Sequence, residues 1–256
     1  MSKADSDNSI HPTAVLEGDI QMGNGNVIGP HVVLRGNIKL GNHNHLEAGV
    51  VLENNIHIGD HNFFYPYAVI GALGEMGLKG DSFNEEGQVR IGNHVTIREF
   101  VCVHSPVYRQ ETIIEDYAYL MNKSYIAHDC HIGKFAVLSS GVLLAGRCVI
   151  GEHANLGLGT TVHQRKCIGP YAMVGMQSVI THDILPYATV AGNPARILRF
   201  NRKGVEHKGF EEAWLTEMEH YYSTPIEALL QTSNPMISEI NQYLQEYPDS
   251  LVKYKN

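Results

Sequence analysis

Large apolar residues return at every sixth position along most of the chain. From Leu16 a step of six meets Met22, Ile28, Leu34, Leu40, Leu46, Leu52, Ile58, Phe64 and Ile70 without a miss. From Ile114 the same step meets Leu120, Ile126, Ile132, Leu138, Leu144, Ile150, Leu156, Val162, Ile168, Val174 and Ile180, and Ile91, Ile97 and Val103 bridge the two runs. Six fits neither the helical period of about 3.6 nor a heptad, but it is even, so every anchor falls on one side of an extended strand. Glycine often follows the anchor, as at Gly23, Gly41, Gly59, Gly92, Gly133, Gly151 and Gly169, where an extended chain can bend. The pattern predicts short strands joined by corners.

A longer period sets the coil. Asn26, Asn44 and Asn62 recur at eighteen, as do Ile20, Ile38 and Ile56. Three hexads therefore make one turn, and eighteen extended residues at ~3.3 Å give a perimeter of roughly 60 Å, a triangular prism whose coils stack at ~4.8 Å. The phase slips between Ile70 and Ile91 and between Val103 and Ile114, which predicts loops thrown out near 72–88 and 105–112. Beyond Pro194 the hexads stop. Trp214, Met218, Tyr221 and Tyr222, then Met236, Ile237, Ile240, Tyr243 and Leu244, fall at helical spacing. The reading is mostly β: a parallel β-helix over 1–195 and a small C-terminal α-helical domain over 196–256.

Composition agrees with a turn-rich β protein, with 25 glycines and only 18% charged residues. A net charge of −8 argues against nucleic acid as a partner. Residues Met1 to Ser9 are polar and no stretch of eighteen residues is apolar throughout, so no integral membrane segment is expected and the protein reads as cytoplasmic. Cys102, Cys130, Cys148 and Cys167 form no CxxC pair and read as reduced core thiols.

If one coil is eighteen residues, positions eighteen apart lie one above another. His128, Gly146 and Gln164 then form one column, and Asp129, Arg147 and Arg165 the next. A histidine beside a carboxylate, with a glycine backbone and an amide one and two coils away, is a base in a polar cradle. An imidazole with an ordinary pKa near ~6.5 is largely neutral near pH 7 and can accept the proton of a hydroxyl.

The segment Ile126-Ala127-His128-Asp129-Cys130 resembles the catalytic stretch of the acyl carrier protein-dependent UDP-N-acetylglucosamine O-acyltransferases, which open lipid A assembly. The likeness extends through His11-Pro12-Thr13-Ala14, Ile28-Gly29-Pro30-His31, Ile97-Arg98-Glu99, Leu144-Ala145-Gly146, Val162-His163-Gln164, Gly192-Asn193, Lys208-Gly209-Phe210 and the helical tail. It implies a left-handed parallel β-helix, the hexapeptide-repeat prism, assembled as a homotrimer with the site between neighbouring prisms. His128 would be the general base, Asp129 its orienting partner and Gly146 the backbone donor to the oxyanion. Lys79, Tyr125, Arg147, His163, Gln164, Asn201 and His207 would bind substrate, and Met176 would floor the acyl groove, favouring a medium-length, hydroxylated chain. No metal and no cofactor are implied, only acyl carrier protein as donor and a UDP-amino sugar as acceptor. Tyr125, Arg147 and His207 depart from the histidine, histidine and arginine usual in the family. Arg147, stacked over Asp129, is expected to bear on that carboxylate, and an acceptor aminated at the acylated carbon fits the altered surroundings.

Arg196, Arg199, Arg202, Lys203 and Lys208 against Glu206 leave +4 within thirteen residues, a surface suited to an acidic carrier protein. Three other readings compete: an acetyl-coenzyme A-dependent sugar acetyltransferase on the same prism, a zinc hydratase resembling the gamma carbonic anhydrases, and a noncatalytic relative acting as a binding protein.

Overall fold

The computed structural model describes residues 7–75, 81–223, 233–247 and 250–251, of which 81–82 and 250–251 are described by backbone alone. Val15–Met22, Val33–Leu40 and Val51–Ile58 pair in parallel at an offset of eighteen, Val15 with Val33 and Val33 with Val51. Each of these strands runs over two faces of the prism, and the corner between them falls at Gly18, Gly36 and Asn54, all at positive φ. Gly36 is tightly constrained there, since a Cβ would meet the Asn54 carbonyl oxygen at 2.4 Å. The third face carries Val27–Ile28, His45–Leu46, Phe63–Phe64 and their successors.

The anchors fill the interior. Leu34, Leu46, Leu52, Phe64, Ile70, Ile97, Leu120, Ile132, Leu144, Leu156 and Val174 are fully buried. The two loops interrupt the stacking where the phase slips. Ile56 pairs with Val89 and Val89 with Thr112, offsets of 33 and 23, before Ile113 and His131 restore eighteen. Both insertions end at the corner that holds His128 further along.

Two ladders run along the prism. His43, His61, His94, Tyr117, Phe135, His153, Tyr171 and Tyr187 stack ring on ring at 4.7–5.6 Å, which assigns four of the fifteen histidines to packing. Inside, Asn26, Asn44 and Asn62 are buried, and Asn44 Oδ1 accepts from the Asn62 backbone N–H at 3.0 Å while its Nδ2 donates to the Gly59 carbonyl at 2.9 Å. Asn44→Val is expected to orphan both main-chain groups at ~1–3 kcal/mol each. Thermal unfolding should show an apparent Tm lowered by about 5–10 °C; an unchanged midpoint would remove the ladder from the stability argument.

The expected boundary at 195/196 falls within a hairpin: Ala188–Gly192 pairs antiparallel with Ala195–Phe200, and the helices begin at Arg202. Arg202–Val205, Glu212–Ser223 and Pro235–Glu246 are helical. The last two bury Leu215, Met218, Tyr221, Tyr222, Met236, Ile237, Ile240 and Tyr243, with Asn234 capping the third through the Met236 N–H. Ser250–Leu251 returns to pair with Asp183–Ile184. No described helix is long and apolar enough to cross a membrane.

Candidate active site

His128 and Asp129 occupy the corner between strands Tyr125–Ile126 and His131–Ile132. Asp129 takes φ +63°, which turns its carboxylate back against the prism, where it is fully buried. Its Oδ2 lies 2.7 Å from His128 Nδ1. Its Oδ1 accepts the N–H groups of Val107, Tyr108 and Arg109 at 3.0, 3.1 and 2.8 Å, and its own N–H donates to Thr112 Oγ1 at 2.9 Å. Burial alone would raise this carboxyl, but the His128 ring and the three loop N–H groups outweigh burial and hold it below the ordinary carboxylate range.

The imidazole is thereby oriented. With Nδ1 facing a carboxylate, the tautomer that satisfies the contact carries its proton on Nδ1 and leaves Nε2 with a free lone pair. Nε2 has no partner among the described residues. Gly146, one coil on, lies directly over the ring, and a Cβ there would sit 2.6 Å from both Cε1 and Nε2. Its N–H donates to no described group, while the neighbouring Arg147 N–H closes the coil onto the His128 carbonyl at 3.0 Å. A base, an orienting carboxylate and a free backbone donor thus meet at one corner, the arrangement needed to deprotonate a hydroxyl and stabilise an oxyanion.

The other sequence-derived positions fall in three groups. Gln164 lies one coil beyond Gly146, through the pairing of Leu144 with Val162, and His163 beside it is exposed. Tyr125 lies on the strand that leads into the His128 corner; its ring meets His104 edge-on and its hydroxyl is tied to Glu75 Oε2 at 2.9 Å, and burial together with that carboxylate pushes its pKa up. Arg147 neither pairs with Asp129 nor competes for its hydrogen bonds; its guanidinium lies 4.2 Å from the centroid of the Tyr108 ring instead.

Asn201 and His207 are elsewhere in this chain. They line a different corner with Phe135, His153, Asn155 and Lys203, around an open cavity of about 370 Å³. Met176 sits at the third corner and is 67% exposed, not a core methionine. Lys79 lies outside the described residues. The basic surface is partly neutralised, because Arg202 pairs with Glu212 at 2.6 Å and Glu219 at 3.2 Å. All four cysteines are free, and burial pushes Cys102 and Cys167 up to about 11, which makes them poor nucleophiles near neutral pH. Among the described residues no group of three or more His, Cys, Asp or Glu could hold a metal.

The residues missed by sequence reasoning are Thr112 and the loop 107–109. The signal was present, since the second phase slip inserts five residues one coil before His128, but backbone N–H donors leave no side-chain signature.

This fold and corner define a hexapeptide-repeat solenoid with a histidine–aspartate pair on its edge. No family model matches the chain. The chain is 31% identical over 170 residues to an acyl-(acyl-carrier-protein)–UDP-N-acetylglucosamine O-acyltransferase of Pseudomonas fluorescens, covering 66% of each. It is 32% identical over 165 residues to the Rhizobium johnstonii counterpart, covering 64% of this chain and 60% of that one. The matched stretch therefore spans slightly less than two thirds of these relatives. Solved structures align over more of the chain: UDP-N-acetylglucosamine O-acyltransferase from Moraxella catarrhalis, with TM-score 0.80, 30% identity and coverage of 93% of this chain and 92% of that one, and UDP-N-acetylglucosamine acyltransferase from Campylobacter jejuni, with TM-score 0.86, 26% identity and coverage of 96% and 100%. The chain belongs to the UDP-N-acetylglucosamine O-acyltransferase family, with its left-handed parallel β-helix.

Proposed function

We propose that the protein transfers an acyl group, a 3-hydroxy fatty acyl chain of medium length, from acyl carrier protein to the 3-position of UDP-N-acetylglucosamine or a closely related UDP-sugar. The observation that carries this reading is the 2.7 Å contact of His128 Nδ1 with buried Asp129, which leaves Nε2 free beside the unengaged Gly146 N–H. Nε2 takes the hydroxyl proton as the sugar oxygen bonds to the thioester carbonyl carbon. The Gly146 N–H stabilises the resulting oxyanion. The C–S bond then breaks, and the imidazolium returns its proton to the departing thiolate, so no cofactor is needed.

The working form is a cytoplasmic homotrimer. His128, the Asn201–His207 pair and Met176 lie at three different corners of one prism, and packing prisms side by side is what would bring different corners into one cleft. The exposed Met176 would then floor an acyl groove facing a neighbour. Tyr125, held by Glu75, stands where the family has a histidine, so the acceptor is UDP-N-acetylglucosamine or a relative aminated at the acylated carbon.

The test is single-turnover transfer from hydroxyacyl carrier proteins of several lengths to UDP-N-acetylglucosamine and its 3-amino analogue. Product from one pair supports the reading. Turnover with acetyl-coenzyme A alone would replace it by the acetyltransferase reading, and a folded, trimeric protein that turns over none of the pairs would overturn it.

A further inference from the structure

Beside the catalytic corner lies a second pocket, of about 250 Å³, lined by Arg109, Arg147, Arg165 and Lys166 together with Val149, Cys167 and Tyr247. Four cationic side chains converge on it in a protein of net charge −8. Lys166 has one carboxylate near it, Asp183 at 3.7 Å, but Arg109, Arg147 and Arg165 form no ion pair among the described residues. Like charges gathered this closely repel, and an anion between them would relieve the repulsion.

The cluster is built rather than merely exposed. Arg147 and Arg165 stack because they are eighteen apart in a coil of eighteen, and both take positive φ at the corner, +68° and +62°. The Arg147 guanidinium rests on the Tyr108 ring at 4.2 Å, and its Nε is buried without a hydrogen-bond partner. Arg109 donates through its side chain to the Asp129 carbonyl at 3.3 Å and through its backbone to the Asp129 carboxylate at 2.8 Å. One residue thus touches both the pocket and the orienting carboxylate. Tyr108 bridges to the base, its ring centroid 5.8 Å from that of His128. The Arg147 guanidinium is therefore at most 10.0 Å from the imidazole, the two distances laid end to end.

We propose that Arg109, Arg147, Arg165 and Lys166 form a phosphate-binding subsite, preorganised by Tyr108, that holds a phosphate group of a substrate while the reacting atoms sit at His128. Planar guanidinium forks match phosphate oxygens bidentately, and the pocket is sized for a phosphate or diphosphate, not for a polyanion. The inference rests on the acyl-transfer reading only for which substrate carries the phosphate. Acceptor and donor are both candidates, and the experiment separates them.

The full-length protein is titrated calorimetrically with UDP, uridine and inorganic pyrophosphate, and compared with Arg165→Gln and with Arg109→Gln. The expected result is UDP or pyrophosphate affinity weakened at least tenfold in both variants, a shallower salt dependence of that affinity, and unchanged uridine affinity. Thermal midpoints raised by pyrophosphate in the wild type and not in the variants give the same answer without turnover. Steady-state kinetics then assigns the source: a raised KM for the UDP-sugar places the acceptor's diphosphate in the pocket, and a raised KM for acyl carrier protein places the donor's phosphate there. Anion affinities and both KM values equal to wild type would overturn the subsite. If the wild type transfers no acyl group at all, the transfer reading fails while the titrations still decide the pocket.

Discussion

His128→Ala is expected to lower the single-turnover transfer rate by about 10²–10⁴-fold, the scale for loss of a general base, with the fold intact. The ring hangs outside the interior: its side chain is 14% exposed, while Ile126 and Ile132 on either side are fully buried and hold the coil. Asp129 keeps its three loop N–H donors when the ring is gone, so the corner need not collapse. Thermal unfolding should therefore move little while the rate falls. A rate within tenfold of wild type would remove His128 from the chemistry and leave Gly146 as a backbone donor without a base.

How much of this was legible in the sequence follows from what carries each feature. The prism was legible because it is written in side chains: a coil of eighteen forces Leu34, Leu52 and Ile70 into one column, and all three are buried. The same arithmetic placed Gly146 over His128, where any Cβ would come within 2.6 Å of the ring. Positions beyond the period were harder. The Asp129 cradle is made of main-chain N–H groups from the 105–110 loop, whose conformation no side-chain pattern encodes. Arg147 was expected over Asp129 because their numbers differ by eighteen; stacking fixes the Cα atoms, but a long side chain swings to the nearest aromatic face, here Tyr108. Asn201 and His207 come from residues beyond the repeats, so register arithmetic could not place them at their own corner.

That main-chain cradle makes Asp129→Asn the sharper second test. In the wild type the carboxylate accepts on every side, from His128 Nδ1–H and from the N–H groups of Val107, Tyr108 and Arg109. An amide has one accepting atom and one donating atom. The three N–H groups claim the oxygen, so the NH₂ faces His128, which must then accept at Nδ1 and carry its proton on Nε2. The atom that should take the hydroxyl proton is thereby blocked. The expected loss is up to about 10⁴-fold in kcat with the acceptor KM nearly unchanged, the scale seen where an orienting carboxylate is amidated beside a catalytic histidine. The variant also changes the acid limb of stability. Because the folded carboxyl is held below its unfolded value, its contribution is fully present above the unfolded pKa of ~3.9 and is lost as pH falls through the folded pKa. Wild-type unfolding midpoints should therefore drop more steeply below about pH 4 than those of Asp129→Asn, which has no charge to lose. Parallel acid limbs together with an unchanged kcat would mean that the 2.7 Å contact positions nothing.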